Sequence, residues 1–287
     1  MSILYPDDSH IYTEDTWNEL GVKYIWQNTK VDHSFISSRG TLVEMIYKPN
    51  WGLSCYMDNA IQSCEVDESL YHESLVHPVM STVDAKRVMI IGGGEGATLR
   101  EVLKWPTVEK VDMYEWDKDV VDLFKKKYPQ WAKGAWNDKR LQLYYDDIFE
   151  AVMKPPHTRY DVIIIDLFDP CEENTVQWYI LLKSIHNWIT KDGSLVIYSG
   201  MRNILQKAQP AHILQKIMRE HLEYSDERTL YNPLLYNRKI VPYKVYIPSF
   251  SGESTFLLIR HIGTDCKFTV PSHLSDAIWR SYKVFNW

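Results

Sequence analysis

Two textures of apolar and polar positions divide the chain. Up to about residue 75, short apolar runs alternate with turns, as in 40–47, the turn Lys48-Pro49-Asn50-Trp51-Gly52, and 53–57. That pattern predicts a small N-terminal domain of β-strands over 1–75. From about residue 76, short apolar runs alternate with helical periodicity. Residues 87–91 read as a strand ending in glycines, and 97–105 as a helix with Leu99, Val102 and Leu103 on one face. Strands are expected at 111–114, 141–145, 160–165 and 194–198, and helices at 119–127 and 176–189. The run Val162–Ile165 is wholly apolar, as in a strand covered on both faces. Alternating strands and helices imply an α/β fold over 76–287, doubly wound around a mostly parallel sheet. Residues 231–243, rich in Tyr, Asn and Pro, predict a long loop, and 244–259 a late hairpin. Asp119 reads as a helix N-cap, and Trp51, Trp105 and Trp116 as core.

Composition narrows the function. The 287 residues are 45% hydrophobic and 24% charged, which is ordinary for a globular enzyme. A net charge of -6 argues against nucleic acid as a partner and suits a cationic substrate. Cys55, Cys64, Cys171 and Cys266 form no Cys-x-x-Cys pair. Neither a metal site nor a disulfide framework is therefore expected, and the cytoplasm is the expected compartment. No apolar run is long enough to span a bilayer, so no membrane partner is expected.

The chemistry gathers where strands end. Gly92-Gly93-Gly94-Glu95-Gly96 joins the strand 87–91 to the next helix. Gly92, Gly94 and Gly96 permit a tight turn and close approach of a ligand to the backbone. Glu115 ends the next strand, roughly twenty residues on, where an acid can bind ribose hydroxyls. Asp146-Asp147 ends the third strand, near an adenine amino group, and Asp166 ends the fourth. Any one of these acids could be a simple helix cap, but four in register favour a nucleoside site. A pyrophosphate would meet Glu95 inside the turn, with Asp166 and Asp169 facing it. Such a site disfavours a dinucleotide and favours a cationic ligand, a sulfonium nucleoside of the adenosylmethionine type. In Asp166-Leu167-Phe168-Asp169-Pro170 the proline fixes the turn and leaves two carboxylates three residues apart, able to take a proton from an amine. Asp-Pro is also a common turn dipeptide.

These motifs resemble the aminopropyltransferases, the spermidine, spermine and thermospermine synthases. The likeness rests on the glycine turn with Leu99-Arg100-Glu101-Val102-Leu103 and on Asp166–Pro170. It extends to the segment holding Gln62, Glu65, Asp67, Glu68 and Tyr71-His72-Glu73. Glu95 and Pro248-Ser249-Phe250 are similar to the thermospermine synthase branch in particular. The resemblance implies a methyltransferase-like Rossmann domain behind the small β-domain. It implies decarboxylated S-adenosylmethionine as co-substrate, with no tightly bound cofactor, a polyamine acceptor, methylthioadenosine as by-product, and a homodimer or homotetramer. Asp166 would be the general base. Tyr71, His72, Gln62 and Asp169 would line the amine side, and Glu95 would hold the donor's ammonium. Glu115 would bind the ribose, and Asp147 and Ile148 would flank the adenine.

Some positions depart from the family pattern. Gly40 or Thr41 stands where a nucleoside-binding Gln is usual, Ile148 where Gly is usual, and bulky Phe168 where a small residue is usual. The segment 231–243 resembles an insertion before the acceptor site. Two other readings compete: an S-adenosylmethionine-dependent N-methyltransferase acting on an amine, and a catalytically inactive scaffold.

Overall fold

The computed structural model describes residues 10–202, 209–221, 224–226, 229–231 and 234–283. The described residues form two compact units, one within 1–69 and 247–252 and the other within 70–246 and 253–287. The division falls at 69/70, six residues before the change in sequence texture.

The smaller unit is built, among its described residues, on a five-stranded antiparallel sheet. Its strands β1 (His10–Glu14), β2 (Tyr24–Ile36), β3 (Leu42–Lys48), β4 (Gly52–Met57) and β5 (Ala60–Cys64) pair in chain order. Asp58 and Asn59, both at positive φ, make a two-residue hairpin in which Met57 pairs with Ala60. Lys48 is fully buried yet satisfied. Its ammonium donates to the Tyr56 hydroxyl at 2.9 Å and lies 4.0 Å from the centre of the Trp26 ring. In the 247–252 segment, the backbone and hydroxyl of Ser249 donate to Asp67 at 2.7 and 2.8 Å.

The larger unit begins in helix α1 (Glu68–Met80), which sequence periodicity does not announce. Tyr71, His72, Ser74 and His77 interrupt its apolar positions, yet all four are buried. A helix covered all round shows no amphipathic stripe. The central sheet then uses β6 (Arg87–Gly92), β7 (Lys110–Glu115), β8 (Leu141–Tyr145), β9 (Tyr160–Asp166) and β10 (Ile189–Arg202). A separate ribbon pairs β11 (Tyr224–Asp226) with β12 (Thr229–Tyr231). The sheet is completed by β13 (Arg238–Ile247) and β14 (Gly252–His261). Its order is β13-β14-β10-β9-β6-β7-β8, with β6 to β10 mutually parallel and β14 antiparallel to β10. The expected doubly wound, mostly parallel sheet is thus present. Its chain order reverses between β6 and β9, the point where open α/β sheets bind ligands.

Helices α2 (Ala97–Leu103), α3 (Lys118–Lys126), α4 (Ile148–Ala151), α5 (Thr175–Ile185), α6 (Pro210–Lys216) and α7 (Asp276–Tyr282) follow. On α5, Trp178, Leu181, Leu182 and Ile185 form one stripe packed in a common core with Met89, Ile91, Ile163, Ile165, Leu195 and Ile197. The intervening Val88, Ile90, Val162 and Ile164 are buried on the opposite face, which explains the unbroken apolar runs.

Three local expectations are corrected. The long loop expected at 231–243 is mostly ordered chain. Residues 234–237 form a turn and β13 starts at Arg238, while 232–233 lie outside the described residues. Buried Arg238 anchors that start by donating to the carbonyls of Gly193, Thr190 and Lys191. Asp117, rather than Asp119, caps α3 by accepting from the Asp119 and Val120 amides. Trp116 is 46% exposed and is no core residue, whereas Trp105 is buried.

Candidate active site

The site is assembled at the carboxyl ends of the parallel strands in the larger unit. Gly92 ends β6 directly opposite Asp166, its register partner at the end of β9. Gly92 has φ 84°, and a side chain there would place Cβ 2.0 Å from the Asp166 carbonyl oxygen. Only glycine lets these two strand ends approach so closely. At Gly94 a Cβ would crowd Glu115 Oε2 at 3.1 Å, and at Gly96 it would strike Trp136 at 2.5 Å.

Asp166 is the centre of the arrangement. Its Oδ1 accepts from the Tyr71 hydroxyl at 2.6 Å, and its Oδ2 accepts from the Thr98 hydroxyl at 3.2 Å. Burial raises its pKa above the ordinary carboxylate range, against the opposing pull of His72, Tyr71 and Thr98. Burial also raises the Tyr71 phenol well above its usual value, with the Asp166 charge adding to the effect. Tyr71 therefore stays a proton donor. Its ring meets those of His72, Tyr198 and Phe256 at centroid distances of 5.0, 5.7 and 5.6 Å.

Asp169 is fixed from the other side. Its Oδ2 accepts from the Met201 amide at 3.0 Å, and the Tyr198 phenol hydrogen-bonds to it. Glu115 accepts from the Asp117 amide at 3.1 Å. Burial pushes its pKa up to about 7, and the charges of Asp117 and Asp166 push the same way. Near neutral pH this end of the sheet therefore holds a set of partly desolvated carboxylates, which suits a cation that brings its own charge.

A family model described as spermine/spermidine synthase domain matches residues 68–257. The chain belongs to that family. The match contains each of the site side chains just described. Curated relatives include polyamine aminopropyltransferase 2 of Bacillus anthracis, 36% identical over 204 residues, which are 69% of this chain and 55% of that protein. Polyamine aminopropyltransferase 1 of Hyperthermus butylicus is 36% identical over 72% of this chain and 67% of its own length. The Sulfolobus acidocaldarius polyamine aminopropyltransferase is 34% identical over 78% and 68%. The chain thus spans between about half and two thirds of the length of these relatives. Among solved structures, spermidine synthase from Thermotoga maritima superposes with a TM-score of 0.76 at 21% identity, covering 100% of this chain and 95% of that one. A spermidine synthase in complex with the transition-state analogue AdoDATO gives 0.78 at 22%, with the same coverage. At these identities the likeness establishes the methyltransferase-like fold.

Within this family member, Tyr71, His72, Gly92, Gly94, Gly96, Glu115, Asp166 and Asp169 gather in the larger unit as the sequence suggests, with Glu95 among them. His72 is buried, and its Nε2 lies 2.5 Å from Glu95 Oε1. Ile148 is buried in the core cluster that includes Tyr114 and Ile165. Asp147 caps α4 by accepting from the Phe149 amide at 2.8 Å. Gln62 lies on β5 of the smaller unit, exposed, and donates to the Ala60 carbonyl at 3.2 Å. Thr98 and Tyr198 escape the sequence reading. Tyr198 was findable, since it lies toward the carboxyl end of β10 as Glu115 does on β7.

A second cluster, Glu73, His77 and Glu101, has the residue types of a metal site. Its geometry is that of a protein ion network. Lys104 Nζ lies 2.6 Å from Glu101 Oε2 and 3.6 Å from Glu73 Oε1, while Trp105 donates to His77 Nδ1 at 3.1 Å. Burial opposes the charge on Glu101, but His77, Lys104 and Arg100 outweigh it and hold its pKa near 2. Lys104 and Arg100 supply the positive charge beside these carboxylates.

Proposed function

We propose that the chain is a polyamine aminopropyltransferase that moves an aminopropyl group from decarboxylated S-adenosylmethionine to an amine acceptor, releasing 5'-methylthioadenosine. The observation that carries this reading is the placement of Asp166. It is a partly desolvated carboxylate at the switch point of the sheet, gripped through one oxygen by Tyr71 and faced by Glu95.

The chemistry asks little else of the protein. A sulfonium is already a good leaving group, so the barrier lies in presenting a neutral amine in line with the carbon it attacks. Polyamine nitrogens are protonated at neutral pH. Asp166, with its raised pKa, accepts one proton, and the freed lone pair forms the C–N bond as the C–S electrons return to sulfur. Asp169 and the Tyr71 and Tyr198 rings hold the remaining ammonium and methylene groups. Glu115 accepts from the ribose hydroxyls, Asp147 lies beside the adenine, and Gly92–Gly96 lets the nucleoside meet the backbone. The family resemblance assigns Gln62 to the acceptor side. That resemblance, with Glu95 and 248–250, also supports a thermospermine-type acceptor. A cytoplasmic homodimer or homotetramer is part of the same proposal, consistent with exposed Ile25, Val31, Ile36 and Tyr47 on the small sheet.

Glu95 argues against the methyltransferase alternative, because intact S-adenosylmethionine would bring a carboxylate toward it. Calorimetry with both donors tests this. The decarboxylated donor is expected to bind more tightly, and tighter binding of the intact donor would overturn the proposal.

Glu115 supplies a pH signature. Its neutral form dominates in the unliganded fold up to about pH 7. Ribose hydroxyls favour the charged form, so donor binding near pH 6.5 should release a proton, read by calorimetry in buffers of different ionisation enthalpy. A pKa raised by folding stabilises the fold at low pH, and that contribution is lost as pH rises through about 7. Glu115→Gln should therefore unfold at similar denaturant concentrations at pH 4 and gain roughly 3 kcal/mol over the parent at pH 8.

A further inference from the structure

We propose that Thr98 is a positioning residue for Asp166: its hydroxyl fixes the second carboxylate oxygen, so the glycine turn that cradles the donor also aims the base. This rests on the reading of Asp166 as the general base. Thr98 is in the first turn of α2, is fully buried, and donates to Asp166 Oδ2 at 3.2 Å.

Its approach depends on the turn. Gly92 and Gly93, both at positive φ, bend the chain back on itself. A Cβ on Gly93 would sit 3.4 Å from the Thr98 side chain, and one on Gly92 would collide with the Asp166 carbonyl oxygen. The glycines thus bring β9 and the start of α2 within hydrogen-bonding distance. With Tyr71 on Oδ1 and Thr98 on Oδ2, the carboxylate is held at both ends and its plane is set. The remaining lone pairs are left for the amine. A carboxylate held by Tyr71 alone could turn about its Cβ–Cγ bond, a broad two-fold torsion.

Both hydroxyls favour the charged form of Asp166. The other groups that face it are His72 of α1, Glu95 of the glycine turn, Glu115 of β7 and Tyr198 of β10. Loss of the Thr98 donor leaves burial and the charges of Glu95 and Glu115 less opposed. The proton affinity of Asp166 then rises, so the base stays protonated up to a higher pH.

The test compares Thr98→Val, Thr98→Ala and Thr98→Ser by kcat and KM against pH. It is paired with a 13C-carboxyl NMR titration of Asp166 in the unliganded protein, assigned with Asp166→Asn. Thr98→Val keeps the side-chain shape and Thr98→Ala removes it, so a folding defect in one leaves the other readable. Either should lower kcat at pH 7 by about 3- to 10-fold with little change in KM, and move the acid limb and the Asp166 titration up by roughly half to one pH unit. Thr98→Ser should restore both. Unshifted profiles and titrations would overturn the proposal, as would Thr98→Ser behaving like Thr98→Val. Turnover retained by Asp166→Asn would instead remove the base assignment, and the titration would still read the hold of Thr98 on the carboxylate.

Discussion

Asp166→Asn is expected to lower kcat by about 10²- to 10⁴-fold, the usual contribution of a positioned general base, while the donor Kd changes by less than a few fold. The asparagine keeps the shape and can still accept from Tyr71, but it cannot take a proton from the amine. Stability should move the other way. Folding raises the Asp166 pKa, chiefly through burial, so ionisation of the buried group opposes folding at neutral pH. The variant should therefore melt no lower than the parent at pH 7.5, and its advantage should shrink as pH falls toward the ordinary carboxylate range. Loss of turnover together with loss of fold would point to a structural Asp166. Turnover and melting curves, each followed across pH, separate the two cases.

Glu95→Gln is expected to weaken binding of the decarboxylated donor by about 10- to 100-fold while leaving the intact donor within a few fold, so that the preference between them collapses. The argument is electrostatic. A carboxylate facing a terminal ammonium attracts it, and the same carboxylate repels the α-carboxylate of intact S-adenosylmethionine. His72 moderates the effect through its 2.5 Å contact with Glu95 Oε1. Competitive titration of the two donors against the parent and the variant measures the ratio. An unchanged ratio would place the donor's side arm away from Glu95.

Much of this site was legible because of where it sits. Parallel strands present their last residues on one edge, so Glu115, Asp147, Asp166 and the glycine turn could be placed in register from strand ends alone. The sheet was legible for a related reason, since burial on both faces writes unbroken apolar runs such as Val162–Ile165. What stayed hidden depends on contacts between distant parts of the chain. Helix α1 delivers Tyr71 to Asp166 across 95 positions, and its near-complete burial from Tyr71 onward erases the periodicity that would announce it. The His72–Glu95 contact is a tertiary pairing that no local sequence pattern announces. Thr98 looks like an ordinary first-turn residue until the turn of Gly92 and Gly93 carries it to Asp166. Arg238 shows the reverse error. Turn-rich composition suggested a loop, but its guanidinium ties the chain to three carbonyls of the 190–193 segment and starts a strand. Residue type alone places Trp116 in the core, yet it lies half exposed beside Glu115.

The most direct test of aminopropyl transfer is mass spectrometry of the products. The purified chain is incubated with decarboxylated S-adenosylmethionine and, in turn, putrescine, spermidine and spermine. The expected result is one acceptor gaining an aminopropyl group with a matching amount of 5'-methylthioadenosine, and no product from Asp166→Asn. A methylated amine formed from intact S-adenosylmethionine, with no aminopropyl product from the decarboxylated donor, would contradict the account.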